Sequence, residues 1–200
     1  MNNETIISKY IKSPPDLMLD VGVGPKSEYL SLSKIYPEMK IIGLEPHPIR
    51  FSKILSCFNG VLLPYAAWDK KDRIDMYSLG DNAEFGDAPS CFKFSERKSF
   101  VTVEARPLDW MLDYFADFSN ILLWMDIEGA EIKALNGAEN LLKKVQYINI
   151  EVCETPLYNG ACTKLEVNSF LTNFGFKLVH EYQFSIAHKK TKFNDAIYIR

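Results

Sequence analysis

The chain has 200 residues, 47% of them hydrophobic, 13% aromatic and 24% charged, with a formal net charge of −3. That length suits one domain, read over residues 1–200, with apolar content enough for a real core. The charge gives no electrostatic reason to expect a nucleic-acid partner, and no apolar run approaches the roughly 20 residues of a membrane helix.

The opening "MNNETIISKYIKSPPD" is polar, is broken by Pro14-Pro15 and lacks the apolar core of a signal peptide. Asp16 to Val23 then reads as a strand and Lys26 to Ile35 as a helix. "MKIIGLEP", Met39 to Pro46, is a second strand, followed by helical spacing in "IRFSKILSCF". Gly60 to Ala67 is a third strand, bent at Pro64. "RIDMYSL" and "FVTVEARPL" look like strands flanking about twenty residues without periodicity. So long a loop in a compact domain tends to be functional or disordered. "NILLWMDI", Asn120 to Ile127, is almost wholly apolar, as in a strand covered on both faces. "EIKALNGAENLLKKV" reads as one amphipathic helix and Val145 to Val152 as a strand. "LEVNSFLTNFGF" reads as a helix capped near Gly175, and "FKLVHEYQF" and "NDAIYIR" as a closing hairpin. Strands alternating with helices predict a parallel α/β sheet, with the final hairpin added antiparallel at one edge.

Cys57, Cys91, Cys153 and Cys162 have no C-x-x-C spacing and no histidine cluster beside them. Neither a disulfide framework nor a zinc site is expected, and reduced thiols point to the cytoplasm.

The stretch "LMLDVGVGPKSEYL" puts an acid and two glycines at the carboxyl end of the first strand, where open parallel sheets bind their ligands. Gly22 and Gly24 let the backbone turn and let a ligand approach without a Cβ in the way. Glu45 ends the second strand, a position from which an acid can accept hydrogen bonds from ribose hydroxyls. The dinucleotide fingerprint G-x-G-x-x-G is incomplete, because Ser27 holds its third position. Asp20 would repel a pyrophosphate but attract a cation. S-adenosylmethionine carries a ribose, an ammonium and a sulfonium and no phosphate, so Asp20 with Glu45 suits it better than NAD. The plainer alternative for Asp20 is a cap for the following turn.

A second acidic group lies in "WMDIEGAE". Asp126 closes an apolar strand and needs a partner such as an amino group, a substrate hydroxyl or a metal. Glu128 and Glu131 stand at a helix start, where acids complement the helix dipole, and this accounts for Glu131. Glu151 points to the same sheet edge. Asp126, Glu128 and Glu151 are therefore the candidates for positioning or deprotonating an acceptor hydroxyl. His47, His180 and His188 are weaker candidates, more in keeping with structural or exposed roles. Lys93, Arg97 and Lys98 could grip an anion, although such runs are commonly solvated loops.

Together, "DVGVG", "GLEPHP", "LLWMDIEGAEIKALNGAENLL", "INIEV" and "FLTNFGFKLV…NDAIYI" resemble the FkbM family of S-adenosylmethionine-dependent methyltransferases, from Leu17 to the C-terminus. The "D-x-E-G-A-E…L-x-G-A" run is the most specific part. The resemblance implies a class I methyltransferase fold: a Rossmann-like α/β three-layer sandwich whose mostly parallel seven-stranded sheet has an antiparallel last strand. It implies cofactor contacts from Asp20, Gly22, Gly24, Glu45, Pro46 and Asp126, with Tyr65, Ala66 and Ala67 near adenine. It also implies O-methylation of a sugar, glycan or small-metabolite hydroxyl. The usual family loop is closer to D-x-G-A-N-x-G; here Gly24 replaces the asparagine and Lys26 the glycine. About fifteen residues precede the first strand, leaving acceptor recognition to the loop Asp81 to Ser99, the loop after Glu151, the terminal hairpin or a second subunit. No metal ligand is assigned, although clustered carboxylates are compatible with Mg²⁺. The rivals are a non-catalytic cofactor-binding subunit and an NAD(P)-dependent oxidoreductase on the same sheet.

Overall fold

The computed structural model describes residues 3–24, 28–78, 89–93, 99–156, 158–187 and 191–200. Its main sheet is built from β1 (Leu17–Val21), β2 (Lys40–Leu44), β3 (Val61–Leu63), β7 (Ile121–Met125), β8 (Val145–Cys153), β9 (Lys177–Ala187) and β10 (Thr191–Ile199). The spatial order is β3-β2-β1-β7-β8-β10-β9. The first five are mutually parallel, and β10 runs antiparallel to both β8 and β9. The closing hairpin is thus present, but its last strand is inserted between β8 and β9 and does not form the edge.

Both faces of the sheet are covered. One carries α1 (Asn3–Ser8), α2 (Tyr29–Ile35) and α3 (Pro48–Leu55), with Ile7, Tyr29, Leu32 and Ile54 packed on Met18, Ile41, Leu122 and Trp124. The other carries a 3-10 helix (Leu108–Phe115), α4 (Glu131–Asn136), a short 3-10 turn (Leu141–Lys143) and α5 (Lys164–Asn173), packed on Leu17, Leu19, Leu123, Ile148 and Ile150. All five residues of β1 and of β7 are buried, so their sequences are apolar runs and not alternations. No described helix is long and apolar enough to cross a membrane.

Three elements depart from expectation. The run 60–67 is two strands. Proline has no N–H for a ladder, and at Pro64 the chain leaves the main sheet after β3 and joins a second sheet as β4 (Ala66–Ala67). That sheet has the order β4-β6-β5, with β5 (Asp72–Ser78) and β6 (Ser99–Arg106) antiparallel. The expected helix over 131–145 is broken at Gly137, where a Cβ would fall on the Trp68 carbonyl oxygen. Asp109 holds the break, its carboxylate accepting from the backbone N–H groups of Asn140 and Leu141. Finally, α5 starts on a capping box: Thr163 Oγ1 accepts from Glu166 N at 3.3 Å, and Glu166 Oε2 accepts from Thr163 N at 2.7 Å. Its end at Gly175, φ +84°, is as expected.

Candidate active site

Register brings the site together. Val21 lies opposite Leu44 on β2 and Met125 on β7, and Met125 lies opposite Ile150 on β8. The next residue on each of these parallel strands is Gly22, Glu45, Asp126 or Glu151. Residues far apart in the chain therefore share one row: Gly22, Glu45 and Asp126 just past the carboxyl ends of their strands, where backbone groups and space are left for a ligand, and Glu151 level with them inside the longer β8.

A cavity of about 310 Å³ opens at this row. Gly22, Gly24, Glu45, Pro46, Tyr65, Ala66, Ala67, Asp126 and Glu128 line it. Asp20 does not. It is 1% exposed; strand alternation turns it to the α2 face, close enough for its charge to act on Tyr29 and Glu45. Glu151 stands behind the cavity and borders a small hollow with Tyr158 and Cys162.

The two glycines do different things. Gly22 has φ +94°, and a Cβ there would coincide with the Asp126 carbonyl oxygen. The turn is fixed by Gly22 N and Val23 N donating to Leu44 O at 3.0 and 3.1 Å and by Asp126 N donating to Val21 O at 3.0 Å. Among the described residues Gly24 has no atom within 4 Å of its would-be Cβ, and it lines the cavity. Pro25, Lys26 and Ser27 lie outside the described residues.

Glu45 is 3% exposed, and its Oε1 accepts from His47 N at 2.8 Å. Burial pushes its carboxyl up to about 7, opposed by that hydrogen bond and by Arg50. Asp126 is exposed at the cavity wall, and loss of water to the protein around it raises its carboxyl to about 6, again opposed by Arg50. Arg50, on α3, thus serves both acids. Helical spacing in "IRFSKILSCF" does not single it out, because a guanidinium facing two acids across a cleft is a tertiary fact.

The loop carrying the "DIEGAE" signature is wound around Glu131. Its Oε1 accepts from Ile127 N and Gly129 N at 3.3 and 3.2 Å, and its Oε2 from Cys162 Sγ at 3.1 Å. Glu131 stands in the first turn of α4, as the dipole reading expects, and at 2% exposed it also serves as the buried acceptor of the loop. Glu128 and Gly129 take φ +57° and +98°, turning the Glu128 side chain to Tyr158, whose hydroxyl donates to Oε2 at 2.9 Å.

Part of the long excursion forms a roof. Ser90 bridges to Tyr77 and donates from Oγ to Glu128 O at 2.9 Å, and Met76, Pro89 and Cys91 line the cavity. Residues 79–88 and 94–98, which hold most of the loop Asp81 to Ser99 and both Arg97 and Lys98, lie outside the described residues, as does His188. Lys93 is exposed. His180 packs between Tyr10 and Tyr182, ring centroids 5.6 and 5.7 Å away, and does not line the cavity. His47 is buried at the start of α3.

This strand order, with helices on both faces and a cavity at the parallel carboxyl edge, is that of the class I methyltransferases. The magnesium protoporphyrin IX methyltransferase of Synechocystis PCC 6803, solved with bound SAM, matches over 98% of this chain and 76% of its own, with 10% identity and a TM-score of 0.53. An O-methyltransferase from a trans-AT PKS multienzyme of Brevibacillus brevis, solved with S-adenosyl-L-homocysteine, matches over 98% and 70%, with 8% identity and a TM-score of 0.54. The family profile described as "Methyltransferase FkbM domain" matches residues 20–178. The chain belongs to the FkbM family of S-adenosylmethionine-dependent methyltransferases. The 2-O-methyltransferase NoeI of Sinorhizobium fredii (strain NBRC 101917 / NGR234) is 24% identical to it over 186 residues, 84% of this chain and 76% of that one.

Proposed function

We propose that the chain, acting as one domain, transfers the methyl group of S-adenosylmethionine to a hydroxyl of a sugar, glycan or small metabolite. The observation that carries this reading is the shared row of Gly22, Glu45, Asp126 and Glu151 beside a cavity large enough for a nucleoside-sized ligand. The acceptor class draws on the likeness to NoeI, whose name specifies 2-O-methylation.

The residues fit the cofactor. Glu45, buried and facing the cavity, offers carboxylate oxygens to ribose hydroxyls. Gly24 leaves room for close approach of the ligand, Gly22 allows the tight turn that presents it, and Asp20 adds negative charge behind them. Pro46, Tyr65, Ala66 and Ala67 supply an apolar wall for adenine, and Asp126 a carboxylate for the ammonium. When bound, the cofactor supplies a methyl group already activated by its sulfonium. The protein's work is to align the acceptor oxygen in line with that methyl, exclude water and accept or weaken the hydroxyl proton. Asp126, Glu128 and Glu151 form the acidic wall suited to that task. The spacing of Cys57, Cys91, Cys153 and Cys162, with no C-x-x-C pair, suits a reducing, cytoplasmic setting.

Calorimetry with S-adenosylmethionine, S-adenosylhomocysteine and NAD tests the cofactor. Transfer of radiolabelled methyl to a panel of oligosaccharides and hydroxylated metabolites tests the acceptor. Binding of NAD without S-adenosylmethionine overturns the reading; cofactor binding with methyl transfer only to nitrogen or carbon acceptors overturns O-methylation.

A further inference from the structure

We infer that Asp126, Glu128 and Glu151 hold one hard divalent cation, Mg²⁺ or Mn²⁺, at the back wall of the cavity, and that the acceptor hydroxyl binds on its open side. The functional part of this inference rests on the O-methyltransferase reading above; the cation site itself does not.

One oxygen from each of the three carboxylates lies within 4.8 Å of the other two. Oxygens on opposite sides of an ion with bonds of roughly 2.1–2.4 Å are about 4.2–4.8 Å apart, so these can converge on one ion with little movement. All three donors are carboxylate oxygens, the ligand set of Mg²⁺, Mn²⁺ or Ca²⁺ and not that of zinc or copper.

The second observation concerns Glu151 itself. Its side chain is 9% exposed and has no hydrogen-bond donor among the described residues. The charges acting on it are those of Asp126, Glu128, Glu131 and Asp195, every one an acid. Ile148, Ile150 and Val152 of β8 face one core, so Glu151 shares the opposite face with Asn149, whose Nδ2 donates to Asp195 and not to Glu151. A buried carboxylate that has neither donor nor cation is strongly disfavoured. Glu131, on the same loop system, shows the contrast: two backbone N–H groups and a thiol satisfy it. Glu131 is built as a structural group, whereas Glu151 is left facing two other carboxylates.

The position suits the chemistry. Asp126 and Glu128 reach the site from the cavity wall and Glu151 from behind it, leaving the cation's remaining coordination open toward the cavity. A hydroxyl bound there becomes more acidic. Its proton passes to solvent, the new O–C bond forms as the C–S bond breaks, and the sulfonium leaves as a neutral thioether.

The test titrates Mn²⁺ into the purified chain, with and without S-adenosylhomocysteine, reading free Mn²⁺ by electron paramagnetic resonance and folding by thermal shift. One Mn²⁺ should bind, be displaced by Mg²⁺ and raise the melting temperature. Glu151→Gln and Glu128→Gln should each weaken Mn²⁺ about 10-fold or more. Glu151→Gln, whose site is outside the cavity lining, should keep S-adenosylhomocysteine affinity within about 3-fold. The glutamine removes charge from an all-acid neighbourhood, so it should fold, and its circular dichroism and melting temperature check that. Absence of Mn²⁺ binding at millimolar concentrations, or binding unchanged in both variants, overturns the site while leaving the methyltransferase reading standing. Failure of S-adenosylhomocysteine to bind overturns that reading while leaving Mn²⁺ binding to be judged by itself.

Discussion

A side chain at Gly22 would occupy the place of the Asp126 carbonyl oxygen. The first glycine of the loop after β1 and the first acid of the "DIEGAE" loop are thus two sides of one close approach between β1 and β7. With φ +94° as well, Gly22→Ala must both adopt a disfavoured backbone and push the Asp126 peptide away. It should cost at least about 1–2 kcal/mol in urea unfolding and weaken S-adenosylhomocysteine about 10-fold or more. Gly24→Ala meets no atom of the described residues within 4 Å, so it should leave stability within about 0.5 kcal/mol and reduce only ligand affinity. Equal destabilisation by the two substitutions would refute this division of labour.

If Glu45 holds the ribose as proposed, cofactor binding should depend on pH. Its folded value of about 7 lies above the ordinary 4.5 because of burial. For the ligand-free chain, this group's contribution to stability is therefore full below pH 4.5 and is lost as pH rises through 7. Ribose hydroxyls donating to the carboxylate favour its charged form, so cofactor affinity should fall as pH drops from 8 to 6. Glu45→Gln should bind several-fold more weakly at pH 8 and flatten that dependence. Calorimetry at three pH values suffices, and a wild-type profile as flat as the variant's would remove Glu45 from the ribose site.

Arg50 opposes the rise of both Glu45 and Asp126. Replacing it with methionine keeps much of the apolar stem and removes the charge. Both acids should then titrate higher, and the pH below which cofactor affinity falls should move upward by a measurable fraction of a unit or more. A profile unmoved in Arg50→Met would show that the guanidinium does not act on Glu45.

Glu131 should matter for the loop and not for the reaction directly. Glu131→Ala leaves the N–H groups of Ile127 and Gly129 without their acceptor, which costs about 1–3 kcal/mol per unsatisfied group. Glu131→Gln keeps one acceptor oxygen and should recover much of the stability. Hydrogen exchange at Ile127 and Gly129 would report the loosening; if both variants protect these amides like the wild type, the clamp is not what shapes the loop.

Much of the fold is legible in the chain. Apolar runs such as "NILLWMDI" announce strands covered on both faces, and Gly175 announces the end of α5. The breaks are harder to read. Nothing in "EIKALNGAENLLKKV" reveals that Trp68 and Pro107 press on Gly137, and Pro64 marks a bend without showing that the chain changes sheets there. The roles of the acids divide in the same way. A helix start explains Glu131 well enough in isolation, and only the fold adds its work as a buried clamp.

Residue type and local spacing determined that Gly22, Glu45, Asp126 and Glu151 each stand at or near the carboxyl end of a strand, because strand and turn propensities act over a few residues. Only the tertiary structure decided that the four share one row, because register depends on how the two cores seat β1, β2, β7 and β8 against each other. It also decided that Asp20 falls behind the cavity, that Arg50 faces two acids and that Glu151 meets Asp126 and Glu128. Burial and charge act through space, between residues on different strands and helices, whatever their separation along the chain.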